Sequence, residues 1–285
     1  MTKIPRIISV DDHVVEPPDL WTSRLPSKYA DRCPRVERDS AVFNFEGGVF
    51  SYEKGVKNGS ACDWWLYDDL IYPFPKLSAA AGFENLDVEP VTFDEIRPGS
   101  WKQAERLADM DTNHVDVSIC FPNVLPRFCG QTFLEREDKD LALLCVKAYN
   151  DWMIDEWCEG EGKGRLIPLT LIPLWDPIAA AQEVHRCANK GSFAVAFSEN
   201  PYHLGLPSIH DKNHFWDPSF VKWKGDNQLL FEKFDGTDIL FVTWICDDNR
   251  EHSIEMLQHA KAELIFGHLE IKGIEMQNGI INEYG

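Results

Sequence analysis

Positive charge is in short supply: 28 lysines and arginines face 47 aspartates and glutamates, giving a formal net charge of −19. Phosphate backbones and anionic lipid surfaces are repelled by such a chain, so nucleic acid and membrane surfaces are not its expected partners. Long apolar runs are also missing, with no window near the roughly 18 continuous apolar residues of a membrane span. The opening MTKIPRIISV is too short and too broken by Pro5 for a secretory signal. The eight cysteines include no C-x-x-C pair, and several sit in apolar runs where a thiol packs as a small hydrophobe. Reduced core cysteines and a cytoplasmic location follow as expectations. Asn58-Gly59-Ser60 matches a glycosylation acceptor by pattern, and a cytoplasmic chain would leave it unmodified.

What is present is a large apolar complement, 44% of 285 residues, enough for one α/β barrel of roughly 250 residues. IISVDDH (7–13) is a β-branched run ending in charge, as expected of a buried parallel strand whose carboxyl end opens on a site. Residues 14–100 carry many Pro, Gly, Trp and Asp residues without helical period and read as a long excursion with a small hairpin around FNFEGGVFSY. Order returns with a helix in WKQAERLADMDTNHVD, its apolar face formed by Ala104, Leu107 and Ala108, and a strand VSICFPN (117–123). A helical pattern from Glu135 to Trp157, turning Leu141, Leu144, Ala148 and Trp152 inward, leads to a strand LIPLTLIPL (166–174). Asp176 caps a helix over 177–189 that starts with Pro177 and ends before Gly191, followed by the strand FAVAFSEN. After WDPSF the texture becomes irregular, with a strand in ILFVTWICDD, a helix near 249–261 and ELIFGHLEI, so that five or six strands are identifiable.

Several stretches resemble the amidohydrolase-related family (amidohydrolase 2 type) of the metal-dependent amidohydrolase superfamily. They are SVDDHVVEPPDLW, EIRPGSWKQAERLADMD, FPNVLPRFCGQTF, KDLALLCVKAYNDWMIDEW, LIPLTLIPLWDPIAAAQEV and FSENPYHLGLPSIHDKNHFWDP. The resemblance covers about residues 5–217. It implies a distorted (β/α)8 TIM-type barrel holding one divalent metal, zinc or manganese. It also implies hydrolysis or decarboxylation (a carboxy-lyase reaction) of small carboxylic or aromatic molecules. The expected organisation is a single barrel domain over 1–285, with the excursion at 14–100 and an atypical segment at 218–285. Past Asp217-Pro218 the family's fifth-strand His, later His and final Asp find no match, and Thr243-Trp244-Ile245-Cys246-Asp247 stands where the fifth strand should end. The alternative expectation is therefore a truncated or frame-shifted, catalytically silent fragment whose open barrel edge favours a homo-oligomer.

Asp11 and His13 are i and i+2 on the first strand, so both would project into the barrel mouth while Asp12 turns away. They are the expected metal ligands. Asn123 and Arg127 follow the second strand, and Arg127 could grip a substrate carboxylate through two N–H groups or simply brace its loop. Glu199 ends the fourth strand and could orient a ligand or substrate, or sit in a structural ion pair. His210, on the loop beyond, could serve as an acid-base group or be a plain surface histidine. Asp248 and His252, i and i+4 on the expected helix, could form an accidental metal pair, and Glu251-His252 does not complete H-E-x-x-H. His259 and His268 carry no motif, so the three histidines read as solvated or core residues. Cys129 lacks a basic cluster in sequence to lower its thiol pKa, and Trp64, Trp65 and Trp101 read as packing or lid residues.

Overall fold

The computed structural model describes residues 7–47, 49–85 and 87–197, then 230–234, 237–242, 264–267, 275–277 and 280–281 with 254, 255 and 259. In chain order the first part holds β1 (Ile7–Val14), β2 (Arg35–Glu46), β3 (Val49–Lys54), β4 (Ser60–Tyr67), β5 (Leu70–Pro73) and α1 (Gln103–Thr112). There follow β6 (Val115–Pro122), α2 (Gln131–Glu135), α3 (Lys139–Trp152), β7 (Leu166–Ile167), β8 (Leu169–Thr170), α4 (Pro177–Asn189) and β9 (Ala194–Val195). Contacts divide the chain into two units, 1–208 and 209–285.

In the first unit β1, β6 and β7 form one parallel sheet and β8 with β9 another. The fold is mixed α/β, and no closed barrel is formed among the described residues. The stretch LIPLTLIPL explains part of this departure. It was expected as one strand, but Pro168 has no N–H to give a ladder and splits it into the two-residue β7 and β8.

The excursion holds more order than expected. The predicted hairpin is present as β2–β3, with Phe43 opposite Tyr52 and Phe45 opposite Phe50, and it belongs to a four-stranded antiparallel sheet ordered β3-β2-β4-β5. Strand β4 is buried on both faces at Cys62, Asp63, Trp64 and Trp65, so it shows no alternation from which sequence could have read it. Trp65 joins Trp21, Tyr67, Phe74 and Phe133 in the main core, which identifies it as a packing residue.

The helices follow the expected boundaries closely at α4, where the Asp176 carboxylate accepts the N–H groups of Ile178 and Ala179. On α1 the apolar face differs: Leu107 and Met110 are buried while Ala104 and Ala108 are exposed. The helical run expected over 135–157 begins later, at Lys139 in α3, and closes in a π-helical turn at Met153–Trp157, while the short α2 ends at Glu135. Leu141, Ala148 and Trp152 point inward as predicted, and Leu144 is half-buried.

The second unit contains β10 (Leu230–Phe234), β11 (Thr237–Val242) and β12 (Leu264–Gly267), β10 antiparallel and β12 parallel to β11. It also holds the antiparallel pair β13 (Glu275–Gln277) and β14 (Ile280–Ile281). Expected strands at ILFVTWICDD and ELIFGHLEI correspond to β11 and β12. No helix among the described residues is long and apolar enough to cross a membrane.

Candidate functional site

The end of β1 is shaped by a bulge. Ser9 pairs with Ser118 and Asp12 with Cys120, so Val10 and Asp11 together oppose the single residue Ile119. Asp11 in the bulge and His13 beyond it are exposed, and Asp12 between them is half-buried. The Asp12 carboxylate accepts the Ser118 hydroxyl and lies 4.0 Å from an Arg106 nitrogen, so it is used inside the sheet.

His13 is fixed through one ring nitrogen. Its Nδ1 lies 3.1 Å from the Pro122 carbonyl, and since a carbonyl only accepts, Nδ1 carries the proton. In the neutral ring the Nε2 lone pair is then left for another partner. The backbone is held as well: Arg106 donates to the His13 carbonyl at 2.7 Å and to the Gly99 carbonyl at 2.6 Å, while its guanidinium lies 5.5 Å from the centre of the Trp157 ring. Arg106 reaches β1 from α1 and was invisible as a site residue in sequence, because nothing local distinguishes it from a surface helical arginine.

Three residues past His13, Glu16 is fully buried. Its Oε1 accepts the Asn123 N–H at 2.7 Å, and the backbone N–H groups of Val124 and Leu125 also favour its charged form. Burial outweighs them and pushes the carboxyl up to about 7. Its Oε2 and the hydroxyl of buried Tyr149 have no hydrogen-bond partner among the described residues. Glu16 thereby ties the exit of β1 to the turn leaving β6. Sequence shows only the acidic residue in VVEPPDLW, with no sign that it is buried.

That turn carries Arg127 in an unusual backbone conformation, φ 55° and ψ −179°, a region that is essentially reserved for glycine and costs about 1–3 kcal/mol for other residues. Cys129 follows at φ 50° and Gly130 at φ 82°, so three of four consecutive residues have positive φ. The Arg127 Nη1 donates to both oxygens of Glu135, at 2.7 and 2.9 Å. Asn123 does not point to a ligand: its side-chain amide donates to the Ser78 carbonyl at 2.6 Å and so ties the turn to the excursion. Cys129 is buried, Trp64 lies in a small core with Ala41 and Cys62, and Trp101 packs edge-on against Phe93 at 5.4 Å.

Structure thus brings Asp11 and His13 to one strand end and Arg127 to the neighbouring turn. Glu199 and His210 lie outside the described residues, as do Asp248, His252 and His268. Among the described residues no group of three or more His, Cys, Asp or Glu side chains could hold a metal ion.

No family model and no curated protein matches the chain. Among solved structures it is similar to an amidohydrolase from Mycobacterium avium subsp. paratuberculosis K-10, with 21% identity and a TM-score of 0.42 over 66% of this chain and 47% of the other. The chain spans about half the length of that protein.

Proposed function

We propose that the chain is a metal-dependent hydrolase or carboxy-lyase of the amidohydrolase-related type, built on a distorted (β/α)8 plan and acting on a small carboxylic or aromatic molecule. One observation carries the reading: β1 ends in an exposed Asp11 and an exposed His13 whose Nδ1–H is committed to the Pro122 carbonyl. Histidines that bind metals characteristically give their other ring N–H to such an acceptor, which fixes tautomer and ring orientation. The donor pair, a carboxylate and an imidazole nitrogen, suits zinc, with manganese the second choice. A divalent ion held there supplies Lewis-acid polarisation of a substrate oxygen and generates a nucleophile from water near neutral pH.

The chain's own groups have separable tasks in this reading. Arg106 keeps the His13 backbone in place, Glu16 holds the turn after β6, and Arg127 receives the substrate's acid group. Glu199 and His210 take their orienting and acid-base roles from their places in the sequence, at the end of the expected fourth strand and on the loop beyond it. Metal analysis of the purified protein tests the proposal: stoichiometric zinc or manganese is expected, and it should be lost in the Asp11→Ala/His13→Ala double variant. A folded protein that neither carries nor takes up a divalent metal overturns it, as does a double variant that binds metal as well as the parent.

A second reading, a catalytically silent chain that acts through self-association, is favoured by the sheet edges. Phe193 is 79% exposed and Val195 40% exposed at β9, and Ile8 is 47% exposed on β1.

A further inference from the structure

The turn after β6 and the excursion enclose a cleft of about 320 Å³. Its walls include Leu70, Tyr72, Val124 and Leu125, with Arg127 and Glu135 at its polar side, and neither Asp11 nor His13 lines it. The apolar surface shares the lining with the polar groups of Ser78, Asn123 and Thr132 beside Arg127 and Glu135, a mix that suits a small molecule with both an apolar body and a polar end.

The state of the arginine says what the cleft would take. Glu135 engages only Nη1, and the Nε–Nη2 edge of the guanidinium has no hydrogen-bond partner among the described residues. That edge carries two parallel N–H groups, the pair that a carboxylate accepts in a two-point grip. Glu135 meanwhile fixes the guanidinium from the other side and balances its charge. The side chain is half-exposed, so an incoming anion can reach it. Its backbone takes a glycine-like conformation in a turn that Glu16 and Ser78 anchor at Asn123, which places the base of the side chain beside the cleft.

We propose that this cleft binds a small monocarboxylic acid with a flat or compact apolar body, its carboxylate on the Nε–Nη2 edge of Arg127 and its body against Leu70, Tyr72, Val124 and Leu125. The proposal deepens the metal-dependent reading by giving the substrate's acid group a place, and it rests on that reading only for the chemistry that follows binding.

Calorimetric or ligand-observed NMR titration of the full chain with benzoate, and with the neutral isostere benzamide, tests it. Benzoate should bind and benzamide should bind at least about tenfold more weakly, the loss of a charge-assisted two-point contact. Arg127→Gln should weaken benzoate about tenfold or more, and Arg127→Lys should recover only part of it, because an ammonium lacks the fork. Glu135→Gln, which leaves the Nε–Nη2 edge untouched and removes a negative charge, should bind benzoate at least as well as the parent. The Asp11→Ala/His13→Ala variant should bind benzoate unchanged, so loss of metal there with benzoate retained separates the two proposals. Absence of benzoate binding to the folded parent, equal binding of benzoate and benzamide, or full binding by a folded Arg127→Gln variant overturns the assignment.

Discussion

At the scale of single residues, Glu16 has the largest calculable consequence. Its carboxyl titrates at the ordinary 4.5 in the unfolded chain and at about 7 when folded, because burial penalises the charged form. As pH rises, the unfolded chain therefore sheds this proton first. The stability contributed by the protonated form is fully present below 4.5 and is lost as pH approaches about 7, a fall of roughly 3 kcal/mol. Glu16→Gln keeps a carbonyl oxygen to accept the Asn123 N–H and cannot ionise. Urea unfolding at a series of pH values should show the parent losing stability relative to this variant by roughly that amount across the window. Parallel pH profiles would mean that Glu16 stays charged in the folded protein. Asp11 and His13, both exposed on β1, were picked out in sequence from strand alternation, which puts i and i+2 on one face. Glu16 and Arg106 were not, since their importance comes from burial and from contacts 107 and 93 residues away.

Elements were legible where their signals are local. Asp176-Pro177 and Gly191 punctuate α4 at both ends, and the helix stands where they put it. The antiparallel sheet of the excursion was hidden apart from its first hairpin, because β4 is buried on both sides and presents no alternating pattern. The parallel region was misjudged for a different reason, one proline dividing a continuous apolar run. What holds that region against the helices is a side chain acting as a piece of strand: Asn150 on α3 accepts the Leu171 N–H at 2.8 Å and donates to the Leu171 carbonyl at 2.9 Å. The same amide donates to Glu183 at 2.8 Å, and Arg186 closes the cluster from α4 at 2.7 and 2.8 Å. Asn150→Ala strands both backbone groups of Leu171 in the core. It should lower the unfolding free energy by about 2–4 kcal/mol, read as a reduced urea midpoint at unchanged slope. A change within about 0.5 kcal/mol would show that water or repacking replaces the amide.

For the whole molecule, the chain divides near residue 208 into a larger unit, 1–208, and a smaller one, 209–285. Within the first unit β1 pairs only with β6, and β9 only with β8, among the described residues. Parallel strands normally have both edges and both faces covered. Exposed Ile8, Phe193 and Val195 at these edges make self-association the expected behaviour. Light scattering coupled to size exclusion should give a mass above that of one chain, and Phe193→Lys should shift it toward the monomer. A parent that is monodisperse and monomeric at high concentration would contradict this.

The central claim is that His13 offers Nε2 to a divalent ion while Nδ1 keeps its proton on the Pro122 carbonyl. Long-range proton–nitrogen correlation of ¹⁵N-histidine-labelled protein, with His13 assigned by its loss in His13→Gln, reads both nitrogens directly. The expected spectrum has a protonated Nδ1 and an unprotonated Nε2 before metal, and on saturation with zinc the Nε2 resonance alone shifts strongly. An Nε2 that carries the proton, or one that zinc leaves unmoved, would contradict the account.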